Sequence, residues 1–186
     1  GLIGKGHNGG DALLAIADLD RLGRVNSVVL ALADARSALR PNTLKALEIL
    51  EDNLDSEKLQ IVDCQALLEQ SDETGIREIL TESAYDICID GLLGMQFKPP
   101  MRSPAKEMVA AVNESKGIRF RVAVDMPSGL GDETDKVVFR ADVTFATGIF
   151  KKPIAGVAGS FSTGSIRYLD IGLFDKYRDS PTRVIT

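Results

Sequence analysis

Short apolar, β-branched runs alternate with amphipathic segments along most of this 186-residue chain, and that order limits the fold more than any other feature. Val25 to Leu32, Leu59 to Val62, Tyr85 to Asp90 and Phe120 to Asp125 each have the length and composition of a buried strand. Between them, Asp11 to Leu22, Asn42 to Leu54, Glu73 to Thr81 and Ser103 to Ser115 carry apolar residues at helical spacing, with Gly23 as a C-terminal cap and Pro41 as a helix entry. Such βαβα order predicts one α/β domain, a three-layer sandwich whose central sheet is mostly parallel. The domain is expected over residues 1–175, with 176–186 as a polar tail or linker. Gly1-Leu2-Ile3-Gly4 reads as the inside of a strand. From Val137 the pattern changes, and the strands expected at Val143 to Ala146 and Ser165 to Leu169 are joined by a glycine-rich loop at one sheet edge.

Composition removes several function classes. A formal charge of −5 offers no general attraction for nucleic acid or an anionic membrane, so a phosphate-bearing ligand must be held by local groups. Cys64 and Cys88 lie in apolar surroundings and read as reduced core residues. No run reaches the length of a membrane span, which gives a cytoplasmic expectation. His7 is the single histidine, so metal sites and catalytic devices needing two imidazoles are excluded, and no G-x-S-x-G elbow is present.

In an open parallel sheet the ligand crevice lies beyond the carboxyl ends of the strands. Three motifs fall there. Gly4-Lys5-Gly6-His7-Asn8-Gly9-Gly10-Asp11 follows a strand, opens a helix and satisfies G-x-G-x-x-G. Asp11 is expected in the first helical turn, where it would repel a diphosphate laid against the helix end. Asp90-Gly91-Leu92-Leu93-Gly94-Met95-Gln96-Phe97-Lys98-Pro99-Pro100 runs from a strand into a loop, with Lys98 and Arg102 as candidate phosphate partners. Val122-Ala123-Val124-Asp125-Met126-Pro127-Ser128-Gly129 ends a buried strand on a carboxylate, which demands a cation, a hydrogen-bond network or a catalytic proton. Asn8, Asp90 and Ser128 offer oxygens with one negative charge among them, a set suited to a monovalent ion.

Taken in order, these motifs resemble the NAD(P)H-hydrate epimerase family, also called the YjeF N-terminal domain family, as do Ala141-Asp142-Val143-Thr144 and Lys152-Pro153. The resemblance implies a Rossmann-like fold and an isomerase that interconverts the R and S hydrates of NADH or NADPH for a separate, sometimes fused, dehydratase. It further implies potassium held by Asn8, Asp90 and Ser128. Substrate contacts are implied for His7, Asn8, Gly9, Gly10 and Asp11, for Gly94, Met95, Gln96, Phe97, Lys98, Pro99 and Pro100, and for Asp125, the catalytic residue. A homodimer is a further expectation, with no nucleic acid or membrane partner. His7, Ala12 and Met95-Gln96 depart from the family pattern, and the helical segment that precedes its first strand is not seen. The competing readings are a non-catalytic protein or RNA interaction module of the same fold, an NAD-dependent dehydrogenase using Asp34, and a magnesium phosphohydrolase using Asp11, Asp90 and Asp125.

Overall fold

The computed structural model describes residues 1–70 and 73–173. The polar tail expected over 176–186, and the end of the 1–175 domain, lie outside the described residues. Strands β1 (Leu2–Ile3), β2 (Val28–Leu32), β3 (Leu59–Asp63), β4 (Tyr85–Gly91), β5 (Ile118–Val124), β6 (Val143–Thr147) and β7 (Ser165–Leu169) form one sheet in the order β3-β2-β1-β4-β5-β6-β7. Every pairing is parallel, including the last edge strand, so the sheet is wholly rather than mostly parallel.

Helix α1 spans His7–Arg21 and α2 spans Pro41–Asn53. Their apolar stripes pack on one face, where Leu13, Ile16, Leu47 and Leu50 meet Ile3, Leu30, Leu32 and Ile89. The opposite face carries α3 (Cys64–Glu69), α4 (Glu73–Thr81) and α5 (Ala105–Glu114), with Ile76, Leu80, Met108 and Val112 against Leu2, Ala31 and Ala123. Alternate residues of β2 thus serve opposite cores, as a strand pleat requires. Cys64 and Cys88 are buried free thiols.

Two expectations need correction. α1 begins at His7, four residues earlier than its apolar periodicity suggests, because Gly6 takes the N-cap position and the polar loop residues themselves wind into the helix. Asp11 therefore stands in the second turn, not the first. The connection from β6 to β7 is also not a simple glycine loop: it folds into two single turns, α6 (Lys152–Ala155) and α7 (Val157–Ser160). Pro153 favours a helix start there and Ile154 supplies the buried anchor.

Connections run from β1 outward through β2 to β3, and then return to β4 and run outward the other way. The switch in direction falls between β1 and β4, the position at which open parallel sheets generally bind their ligands.

Candidate functional site

The loop leaving β1 and the loop leaving β4 meet at that switch point with almost no space between their backbones. A Cβ on Gly4 would lie 1.9 Å from the Leu92 carbonyl oxygen, so only glycine lets the two chains touch. Thr43 of α2 braces the first loop by donating to the carbonyls of Gly6 (2.8 Å) and Lys5 (3.2 Å). Gly4 and Gly9 of the G-x-G-x-x-G sequence thus serve backbone packing as well as any approach by a ligand, whereas Gly6 has open space around it.

One polar network joins the three motifs. The Asn8 side-chain amide donates to the carbonyls of Leu93 (3.0 Å) and Val124 (3.1 Å). The Leu93 amide donates to Ser128 Oγ at 2.9 Å, and Ser128 Oγ donates to Asp90 Oδ1 at 2.7 Å. Asp90 also accepts from the Ser128 amide (2.7 Å) and the Leu92 amide (3.2 Å). Asp90 and Ser128 are each 1% exposed. Burial pushes the Asp90 carboxyl up to about 6, and the three donors from Ser128 and Leu92 oppose that shift. Asn8, Asp90 and Ser128 are therefore brought together as the sequence implies, linked through Leu93. Asn8 Oδ1 is turned toward Gly94, where an added Cβ would approach it to 2.9 Å. An oxygen-only set with one carboxylate suits a monovalent cation better than a divalent one. Among the described residues no cluster of three or more His, Cys, Asp or Glu has the makings of a metal site, so the phosphohydrolase arrangement of Asp11, Asp90 and Asp125 is not formed.

Asp125 stands immediately beyond β5 with φ of 68°, the one non-glycine residue with positive φ among those described. Held strain of this kind collects at functional positions. Its backbone is fixed by the Asp125 amide to the Phe145 carbonyl (2.9 Å) and by a tight turn from the Met126 amide to the Val124 carbonyl (2.8 Å). Three donors converge on Oδ1: the Thr147 amide (3.3 Å), Thr147 Oγ1 (2.7 Å) and the ammonium of Lys151. Lys151 donates in addition to the Thr147 carbonyl at 2.7 Å. The Asp125–Lys151 ion pair is only 10% exposed at each side chain. Neither Thr147 nor Lys151 stands out in the sequence. The available signal is the demand of a strand-end carboxylate for a partner, together with the neighbouring Lys152-Pro153 pair.

Asp11 belongs to the same neighbourhood. It follows Asn8 by three residues on α1, near enough to one side of the helix to share its outlook. Its carboxyl is raised, chiefly by desolvation; the nearby Asp125 charge adds to the shift and His7 opposes it. His7 is exposed at the first position of α1, and Gly9 and Gly10 are buried beneath the loop.

The 94–100 loop is less integrated. Gly94 and Phe97 close a turn at 2.9 Å, and Phe97 packs on the core, whereas Met95, Gln96, Lys98 and Pro100 are exposed and Pro99 is half-buried. Among the described residues Lys98 and Arg102 form no ion pair, which leaves both available to an anion. Asp34 is held by Lys5 at 3.2 Å. Asp142 lies at the other end of the sheet, where it accepts from the Arg121 amide at 2.7 Å and helps fix strand register. A concavity of about 390 Å³ lined by Asn113, Val138, Arg140 and Phe161 also lies at that end, beside the chain entering β5, β6 and β7. Its lining contains none of the residues of the three motifs.

A family model described as YjeF-related protein N-terminus matches residues 2–153. The chain belongs to this family. An NAD(P)H-hydrate epimerase of Rhodopirellula baltica is 34% identical over 175 residues, covering 92% of this chain and 65% of that protein. An NAD(P)H-hydrate epimerase of Clavibacter sepedonicus is 32% identical over 181 residues, covering 92% and 71%. A bifunctional NAD(P)H-hydrate repair enzyme of Gloeobacter violaceus is 30% identical over 155 residues, 81% of this chain but 26% of that protein. The chain thus spans about two thirds of the length of the first two relatives and a quarter of the third. The crystal structure of yeast ynu0 superposes on the YjeF-related domain with a TM-score of 0.66, at 19% identity, covering 100% of this chain and 72% of that chain. That likeness carries the fold. No helix among the described residues is long and apolar enough to cross a membrane.

Proposed function

We propose that this domain is an NAD(P)H-hydrate epimerase that interconverts the R and S hydrates of NADH and NADPH. The family and the names of its relatives support that reading. The structural observation that carries it is the Asp125 carboxylate, whose Oδ1 is clamped by three donors while Oδ2 has no partner among the described residues. No fully buried side-chain oxygen lacks a partner among those residues, so Oδ2 keeps some contact with solvent.

The chemistry required is modest. C6 of the hydrated ring bears a hydroxyl next to the ring nitrogen, which can expel it once the oxygen is protonated. The resulting iminium-like ring accepts water on either face. A fixed carboxylate in a partly dry crevice stabilises that cation and exchanges protons with the hydroxyl or the water. Asp125 takes this role. The His7 to Asp11 loop and the Gly94 to Pro100 loop are assigned to the rest of the dinucleotide, with Lys98 beside the diphosphate. Asn8, Asp90 and Ser128 would hold a potassium ion, since Ser128 Oγ is bonded to Asp90 Oδ1 and Asn8 joins the same network through its amide nitrogen, with one formal charge among the three. A bound potassium ion would supply fixed positive charge near the diphosphate. A dehydratase specific for one epimer is the functional partner in this scheme, as a separate protein or as part of a longer chain.

The test supplies the R hydrate to a separately purified S-specific dehydratase and follows recovery of NADH absorbance, with and without this protein, in potassium and in sodium buffer. Acceleration that needs potassium is expected, and Asp125→Asn should lower it by about 10²–10⁴-fold. Full epimerisation by Asp125→Asn would remove the central claim. A folded protein with no effect would instead favour the interaction-module reading.

A further inference from the structure

The concavity of about 390 Å³ at the entry end of the sheet stands apart from the three motifs, and its lining differs in charge from the chain as a whole. Lys136 and Arg140 line it, and among the described residues neither side chain makes a hydrogen bond or an ion pair. Glu114 is the one carboxylate in the lining, and Arg77 already binds it. Two uncompensated positive charges therefore border one space in a chain of formal charge −5. Phe161 belongs to the same lining and is 81% exposed, while Val138 adds an apolar wall. These walls are held in place without a ligand. Asn113 of α5 donates to the Val138 carbonyl at 2.8 Å and accepts from the Arg140 amide at 2.9 Å, which clamps the run from Val138 to Arg140 onto the helix. Phe139 is fully buried between them and leaves its two neighbours to the concavity. On the α7 side, the Ser162 amide donates to the Gly159 carbonyl at 2.9 Å, and a Cβ on Gly159 would lie 2.3 Å from the Ile154 carbonyl oxygen, so Phe161 stands on a close-packed turn.

We propose that this concavity is a second ligand site, for a nucleoside monophosphate whose base lies on Phe161 and whose phosphate is held by Lys136 and Arg140. Its volume falls within the range of about 300–1,000 Å³ common to small-ligand sites. A flat heterocycle gains by stacking on an exposed aromatic ring. An unpaired guanidinium together with an ammonium meets a phosphate dianion through charge-assisted hydrogen bonds. A neutral ring would leave both cations without a counter-charge, and inorganic phosphate would leave the phenyl face in water. One molecule that carries both groups therefore uses the whole lining. The site shares no residue with the three motifs, so the proposal holds whether or not the domain is an epimerase.

The experiment is isothermal titration of the full chain, in phosphate-free buffer of low ionic strength, with AMP, adenosine and inorganic phosphate as separate probes. AMP should bind wild type about 10-fold more tightly than either of the others, because adenosine carries only the ring and phosphate only the charge. Phe161→Ala and the double variant Lys136→Gln, Arg140→Gln should each weaken AMP by about 10-fold. Added salt should weaken AMP on wild type more than on the double variant, since screening acts on the cations. All three side chains are exposed, so the variants should keep the fold, which circular dichroism checks. AMP that binds the folded variants as tightly as wild type lies elsewhere and overturns the proposal. Inorganic phosphate that binds as tightly as AMP overturns it too, as does an absence of binding at about 5 mM AMP. If a variant does not fold, the comparison of the three probes on wild type decides by the same criteria.

Discussion

Replacing Ser128 by alanine removes one hydroxyl that both donates to Asp90 Oδ1 at 2.7 Å and accepts from the Leu93 amide at 2.9 Å, in a position 1% exposed. A hydrogen bond to a charged group contributes about 1.5–3 kcal/mol, and an amide left without its acceptor costs about 1–3 kcal/mol. Asp90 keeps the Ser128 and Leu92 amides as donors, which places the total toward the lower end, about 3 kcal/mol. For a domain of this size that is roughly a 10 °C fall in Tm. The pH dependence is a sharper check. The folded Asp90 carboxyl lies at about 6 against an ordinary 3.8, so the folded state binds more protons between those values and stability falls as pH rises through that window. Below 3.8 the group is neutral in both states and contributes nothing. Removing the Ser128 hydroxyl raises the folded value further and extends the penalty above about pH 6. The loss in Ser128→Ala should therefore be larger at about pH 8 than at about pH 5. Urea unfolding in potassium-free buffer measures it, followed by far-ultraviolet circular dichroism because the chain has no tryptophan. A loss below about 1 kcal/mol at pH 8, or an equal loss at both pH values, would refute the assignment of this network as a buried, charge-bearing unit.

Gly4→Ala and Gly6→Ala form an internal contrast. The first places a Cβ 1.9 Å from a backbone oxygen and should cost more than about 3 kcal/mol. The second meets nothing within 4 Å and should stay within about 1 kcal/mol, as thermal denaturation of both will show. Burial pushes the Cys64 thiol up to about 12 and the Cys88 thiol up to about 11, so a thiol reagent at about pH 8 should find neither in native protein and both in denaturant. Rapid labelling of the native state would contradict the packing.

Several parts of the site are legible in the sequence because they are local. Asp90 and Asp125 each close an apolar strand, and a strand-end carboxylate in a parallel sheet has to face the crevice or find a partner. Asn8 precedes a glycine pair of the kind a tight strand-to-helix turn requires. The start of α1 is misplaced by periodicity for a related reason: polar loop residues carry no hydrophobic period, so their helical winding is invisible to pattern. The partner of Asp125 is hidden because Lys151 lies 26 residues further along and reaches it only after β6 has been laid beside β5. Asp90 and Ser128 pair across 38 residues by the same kind of adjacency.

The sequence by itself determined the alternation of elements, hence a parallel sheet with covered faces, because periodicity and punctuation by glycine and proline act within a few residues. It also determined which oxygens were available for chemistry. The tertiary structure alone decided that the sheet reverses direction between β1 and β4, that Leu93 ties Asn8 to Ser128, and that Lys151 neutralises Asp125. Those are contacts between distant segments, and their energies depend on burial and on donor geometry that exist only once the strands are side by side.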